Sequence, residues 1–256
     1  MKNISYGISL AACGGAPRGG IKNLPHCFEL LELPGHMLDD TSLFRQLSMS
    51  PVGAINITEL IDNSVSASIA MQSDKIILDF KRQISKRLGA MNFPVDSVTM
   101  DMGLAEAFEN EEYKNKLVRL IRELAMSLHI LDVKLALPLR IPGCDDAFMR
   151  FCLELKRELM TPWLCFSADI HPHELGKTFV PDEILRWIRF DIAVLRVHYE
   201  PETGNRLVDK AIKPWLEFLS ESAFESKVVF SPHCSGMDTW TSEAENIAEL
   251  ISGLGG

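Results

Sequence analysis

The chain has 256 residues, 46% of them hydrophobic and 24% charged, which is enough apolar material for a substantial core. Its longest apolar runs fall far short of the ~18 residues of a membrane-crossing helix, and it has no polybasic cluster, so neither a membrane span nor a membrane surface is expected. A formal net charge of −9 denies it the broad positive field on which non-specific nucleic-acid binding draws, so no nucleic-acid partner is expected.

In chain order, β-rich runs fall at Ile4–Ala11, Phe28–Leu33, Val52–Leu60, Val95–Met102, Lys134–Leu139, Trp163–Ile170, Ile192–His198 and Lys227–His233. Leu10-Ala11-Ala12-Cys13 mimics a lipoprotein cleavage box. The residues before it (Asn3, Ser5, Tyr6, Gly7, Ser9) are too polar for a signal core, so this stretch is read as the first strand. Ala12 to Cys27 is rich in Gly and Pro and predicts an irregular crossover. Its paired glycines (Gly14-Gly15, Gly19-Gly20) lack the G-K-[ST] of a phosphate loop.

Helical patterns fill most of the other connections: Asn63–Leu88 with a break, Glu111–Leu128, Asp145–Leu159, Pro181–Ile188, Arg206–Leu219 and Glu243–Leu254. Within the second of these, Leu117, Leu120, Ile121, Leu124 and Leu128 share one face. Strand–helix alternation along the whole chain implies a parallel sheet. Eight strands in a chain of about 250 residues favour a closed α/β (β/α)8 TIM barrel spanning residues 1–256 as a single domain, with an open doubly wound sheet as the alternative. Six cysteines (Cys13, Cys27, Cys144, Cys152, Cys165, Cys234) include no C-x-x-C pair, and such scattered thiols point to a reducing, cytoplasmic setting.

Parity within the strands locates a site. Successive side chains of a strand face opposite sides of the sheet. Leu164, Phe166, Ala168 and Ile170 alternate with Cys165, Ser167, Asp169 and His171. Ala193, Leu195 and Val197 alternate with Val194, Arg196, His198 and, just beyond, Glu200. Ile55 and Ile57 alternate with Asn56 and Thr58. Val98 and Met100 alternate with Thr99 and Asp101, Leu139 is followed by Arg140, and Ser231 by His233 in the same parity. The apolar set belongs against the helices and the polar set along the barrel axis, with charge rising toward the C-terminal strand ends. That end of such a barrel is where active sites lie. Converging charges there need water, a metal, a ligand or one another.

Asp169, His171, His198 and His233 offer carboxylate and imidazole donors suited to a divalent metal such as zinc, manganese or cobalt. Arg140 and Arg196 either hold an anionic ligand or form internal ion pairs, for example Asp169 with Arg196. Asp101 and Asn56 are further ligand-binding candidates. Glu32 and Glu200 are candidates for proton transfer, Glu32 as a rim carboxylate, and Glu59 can share that rim. No G-x-G-x-x-G follows a strand and no G-x-S-x-G occurs, so neither a nucleotide cofactor nor a hydrolase elbow is expected.

Phe28-Glu29-Leu30-Leu31-Glu32-Leu33, Leu164 to His171 and Val194 to Glu200 resemble the xylose isomerase-like barrels, a superfamily of sugar isomerases, sugar epimerases and metal-dependent endonucleases. The resemblance covers most of the chain in layout. It implies metal-binding roles for Asp169 and His198. Where the family places metal-binding glutamates, the fifth strand here offers Pro138 and Arg140 and the eighth offers His233, so a metal would have a different ligand set. The resemblance implies a sugar isomerase or epimerase, divalent-metal dependent, acting on a small sugar-like substrate, neutral or anionic, in a chain able to form a homo-oligomer. The alternatives are a degenerate ligand-binding barrel and a metal-dependent hydrolase of the endonuclease branch.

Overall fold

A computed structural model of the chain describes residues 4–11, 13, 20–141, 146–171, 192–201, 213, 216, 217, 219 and 227–254, excluding the side chains of 140 and 141. The eight expected strands form: β1 (Ser5–Ser9), β2 (Phe28–Pro34), β3 (Ala54–Thr58), β4 (Val95–Thr99), β5 (Lys134–Ile141), β6 (Leu164–Ile170), β7 (Ile192–Tyr199) and β8 (Lys227–Pro232). Each pairs in parallel with the next, and β8 closes on β1 with Tyr6 opposite Val228 and Ile8 opposite Phe230. The sheet is therefore a closed α/β TIM barrel and not an open one.

Described helices are α1 (Thr41–Leu47), α2 (Asn63–Ser66), α3 (Asp74–Gly89), α4 (Leu104–Glu109), α5 (Glu111–Leu131), α6 (Asp146–Leu159) and α7 (Met237–Leu254). The expected break after Asn63 is real. Asp62 caps α2 by accepting from the Ser64 amide at 2.9 Å, and the chain runs extended through Gln72 and Ser73 before α3 starts. Sequence periodicity missed α1 and α4, which are too short to complete a hydrophobic stripe. The signal for α1 lay in its cap: the Asp40 carboxylate accepts from the amides of Ser42 (2.8 Å) and Leu43 (3.3 Å). Helix α7 begins at Met237, ahead of the expected Glu243. In the first crossover the described residues hold one 3-10 turn, Ile21–Asn23. The helix expected at Pro181–Ile188, and all but isolated residues of the one expected at Arg206–Leu219, lie outside the described residues. Among the described residues no helix is long and apolar enough to cross a membrane.

Alternation along the strands builds two cores. Ile8, Leu31, Ile57, Leu137, Phe166, Leu195 and Phe230 point outward and are buried in one continuous layer with Leu43, Leu117, Leu124, Cys152 and Trp240 of the helices. Full burial of such a side chain contributes roughly 1.5–3 kcal/mol. Inside the barrel, Leu30, Ala136, Cys165, Val194 and Val229 form a second, smaller cluster. Opposite strands of the ring also meet near their N-terminal ends, where Lys227 of β8 pairs with Asp96 of β4. The inner apolar cluster gives way, toward the C-terminal strand ends, to buried polar groups.

One turn at the C-terminal end of β4 depends on a glycine. Gly103 adopts φ +76 ahead of α4, and a Cβ there would overlap the Tyr113 hydroxyl and the Ala67 carbonyl oxygen. Tyr113 donates to the carbonyls of Ala67 and Met102 (3.2 Å for the latter), which ties α5 to the β3 and β4 loops. Gly103→Ala combines a left-handed backbone with this overlap. It should lower unfolding free energy by about 2–4 kcal/mol in urea denaturation, while Gly89→Ala, in open space at the end of α3, should not lower it.

Candidate functional site

The inward residues at the C-terminal strand ends surround one guanidinium. Arg196 of β7 stands beside Asp169 of β6 in the strand register, and Glu32 of β2 lies between Ser9 of β1 and Asn56 of β3. All five N–H donors of Arg196 are used within the protein. Nε donates to Glu32 Oε1 at 2.8 Å and Nη2 to Glu32 Oε2 at 2.7 Å, a bidentate pair. Nη2 also donates to Thr99 Oγ1 at 3.3 Å, and Nη1 donates to Ser167 Oγ at 3.0 Å and to Asp169 Oδ1.

Glu32 is equally saturated. Besides Arg196 it accepts from Ser9 Oγ at 2.8 Å and Asn56 Nδ2 at 3.1 Å, while the Asn56 carbonyl oxygen accepts from Ser97 Oγ. Four donors fill the lone-pair sites of the carboxylate. Glu32 and Asn56 are 0% exposed and Arg196 is 5% exposed. These positions bear on three of the candidates. Glu32 sits beneath the rim and has no lone pair left for a substrate proton. Arg196 has no donor left for an anion. Asn56 spends both ends of its amide on neighbours. Between the two explanations weighed for Arg196, the internal ion-pair network is what forms, with Glu32 as its unforeseen principal partner.

Above this layer Asp169 links the network to the mouth. Its Oδ1 also meets His198 Nε2 at 3.3 Å, and His198 Nδ1 meets His233 Nε2 at 3.2 Å. With Asp169 ionised, the His198 proton belongs on Nε2, and Nδ1 accepts from His233. Burial alone would push the Asp169 carboxyl up, but the Arg196 guanidinium and His198 outweigh it and hold it below the usual range. Burial likewise works against the Arg196 charge, and Glu32 and Asp169 more than restore it.

The four expected metal ligands do not form a ligand set. The His171 and His198 rings stack in parallel at 4.7 Å and 8°, so their in-plane lone pairs cannot meet at one ion. Asp169 already carries the guanidinium. Among the described residues no three His, Cys, Asp or Glu side chains are placed to hold a metal. A divalent cation therefore does not fit the site as arranged.

A pocket of about 210 Å3 opens over the network. That is room for several waters or one small molecule. Glu32, Thr99, Pro138 and Arg196 form its floor, with Ala11, Asp169 and His198 on one side and Thr58, Glu59, Asn63 and Asp101 on the other. Asp101 is exposed and accepts from the Gly103 amide at 3.0 Å. Glu200 is exposed just beyond β7 and is not among the described residues lining the pocket. The Arg140 side chain, His173, Glu174 and Gly14-Gly15 lie outside the described residues.

Sequence reasoning ranked Glu59 below Glu32 and did not single out Asn63. Glu59 turns into the pocket at φ +53, an uncommon conformation for a residue with a side chain, and accepts from Asn63 Nδ2 at 2.9 Å. Gly35 makes this turn feasible, because a Cβ at 35 would overlap the Glu59 carbonyl oxygen and lie 2.8 Å from Leu60 Cα.

Two measurements follow. Glu32→Ala should cost about 3–5 kcal/mol in urea denaturation because it strands a buried guanidinium. The Glu32→Ala, Arg196→Ala double variant should lose clearly less than the sum of the single losses. The lowered Asp169 pKa means that the unfolded chain, with an ordinary Asp value of about 3.9, takes up this proton first. The contribution is thus complete above about pH 4 and lost as pH falls through the lower folded value. An Asp169→Asn variant should be less stable at neutral pH and show a flatter stability profile below pH 4.

No protein-family profile and no curated protein matches the sequence. Solved structures match along almost the whole chain. A xylose isomerase domain protein from Planctomyces limnophilus aligns with TM-score 0.61 at 14% identity, covering 98% of this chain and 96% of its own. D-psicose 3-epimerase from Clostridium cellulolyticum H10, solved with D-tagatose, gives 0.67 at 11% identity, covering 97% and 98%. An AP endonuclease, family 2, from Brucella melitensis gives 0.66 at 12% identity, covering 98% and 99%. These likenesses show a shared fold: the chain is a TIM barrel similar in architecture to the xylose isomerase domain protein, the epimerase and the AP endonuclease.

Proposed function

We propose that this barrel binds a small, uncharged, sugar-like molecule in its C-terminal mouth and isomerises or epimerises it by proton transfer. The observation that carries the reading is the pocket's makeup. Carboxylates (Glu59, Asp101, Asp169) and an aspartate-held imidazole (His198) line it, and its one described cation, Arg196, is saturated by the protein. Carboxylates accept hydrogen bonds from hydroxyl groups, and with no free cation among the described lining residues they repel phosphates and sugar acids. Of the neutral and anionic substrates left open by the sequence, this favours a neutral one. It also weighs against the nucleic-acid substrate of an endonuclease, as does the net charge of −9.

In the proposed reaction Glu59 and His198, the latter once its Nδ1 exchanges the His233 contact for the substrate, form the acid–base pair, and one of them removes a proton from the carbon beside a carbonyl. In epimerisation the other group, starting protonated, gives its own proton to the opposite face of that carbon; in isomerisation the former carbonyl carbon takes the proton and the neighbouring hydroxyl proton passes to the former carbonyl oxygen. Asp169 keeps the His198 tautomer fixed, and Asp101 holds a hydroxyl at the rim. Glu32 and Arg196 shape the floor beneath. That same commitment of Glu32 and Arg196 to each other favours a second reading, ligand binding without turnover.

Thermal-shift and NMR measurements in D2O separate the readings. Neutral ketoses and aldoses should raise the Tm, and their phosphates and acids should not. Glu59→Gln and Asp101→Asn should each weaken sugar binding about tenfold, the loss of one charge-assisted hydrogen bond. Turnover requires deuterium to enter the sugar beside its carbonyl, and His198→Gln should stop this with binding kept within a few-fold. Binding without deuterium uptake would establish the second reading, and a preference for phosphorylated sugars would overturn both.

A further inference from the structure

Two carboxylates that ordinarily ligate divalent cations, Glu32 and Asp169, gather inside the barrel around a cation that the chain itself supplies, and an imidazole, His198, meets the second of them. Glu32 grips the Arg196 guanidinium with both oxygens, at 2.7 and 2.8 Å, and Asp169 Oδ1 takes a third N–H while meeting His198 Nε2 at 3.3 Å. Two carboxylates, one fully buried and one largely so, cannot remain ionised without positive charge beside them. A guanidinium supplies it permanently, because it does not deprotonate in proteins. It also excludes a second cation. A divalent ion on Asp169 would lie within a few ångströms of the guanidinium and meet its full repulsion at low dielectric.

We propose that Arg196 is a built-in substitute for a divalent metal. The intact barrel binds no divalent ion at its centre, and shortening Arg196 converts the same seat into a metal site made by Glu32, Asp169 and His198. A carboxylate, a second carboxylate and an imidazole are a complete three-ligand set for zinc, cobalt or manganese, with water as the remaining ligand. The Ser9, Asn56 and Ser97 chain that orients Glu32 does not touch the guanidinium and stays in place to orient the carboxylate toward the ion. The inference concerns the floor of the pocket and stands independently of the sugar reading. Its test uses metals alone.

The experiment takes the full chain, free of any affinity tag and stripped with chelator. It adds Co(II), Zn(II) or Mn(II) and reads heat of binding, Tm and the visible absorption of cobalt. The wild type should show no cobalt bands and no metal-dependent Tm. Arg196→Ala should melt lower than wild type without metal, recover on adding cobalt, develop visible bands, and bind cobalt at least about 100-fold more tightly than wild type. Adding Asp169→Ala to it should abolish these gains. Arg196→Lys, which keeps a cation in the seat, should bind no more cobalt than wild type. Tight cobalt binding by the wild type that Asp169→Asn removes would overturn the proposal. So would failure of both Arg196→Ala and Arg196→Gln to gain cobalt, whether assayed as purified or refolded in its presence.

Discussion

The bidentate contact between Arg196 and Glu32 governs the upper half of the barrel. Both groups are buried, and the bond lies near the axis, so strands far apart in sequence answer to it: β2 and β7 directly, β1 and β3 through Ser9 and Asn56, β4 through Thr99, β6 through Ser167 and Asp169. An ion pair out of water repays its desolvation only when the remaining donors and acceptors are also met. Here they are met on both sides, five for the guanidinium and four for the carboxylate. The network is accordingly one cooperative unit, in which removing any member exposes the others to an unpaired state.

This unit explains why the barrel interior is divided in two. An all-apolar lumen would need no partners and could tolerate volume-conserving swaps. The lower cluster of Leu30, Ala136, Cys165, Val194 and Val229 is of that kind. The polar layer above it cannot be repacked one residue at a time. It presents a rigid floor to the pocket, with the mouth residues Glu59, Asp101, Asp169 and His198 standing on it. Rigidity in the floor and variation at the loops is the usual division of labour in a barrel enzyme.

Much of this was legible in the sequence because strand parity is a two-fold code. Isoleucine, leucine and phenylalanine at alternate positions of β1, β3, β6, β7 and β8 announced the helix-facing surface, and the intervening Ser9, Asn56, Ser167, Asp169, Arg196 and His198 announced the lumen. Parity says which side of the sheet a group faces. It does not give depth along the axis or the partner across the ring. Glu32 and Arg196 are 164 residues apart, and no local pattern connects them. Depth was what separated Glu32 as a rim base from Glu32 as a buried anchor. Likewise the parallel stacking of His171 on His198 depends on ring rotation, which spacing does not encode. Glu59 was underrated because its entry into the pocket comes from a positive φ after the strand ends, where alternation no longer applies.

The seating of Glu59 against Gly35 reaches further than its own turn. Gly35 follows β2 and lines no part of the pocket, yet the hydrogen atom it carries in place of a side chain is the clearance that lets the next loop fold inward. Even a methyl group there would overlap the Glu59 carbonyl oxygen and lie 2.8 Å from Leu60 Cα, so the Glu59 wall would have to shift. A position outside the pocket thereby fixes where one of its walls stands.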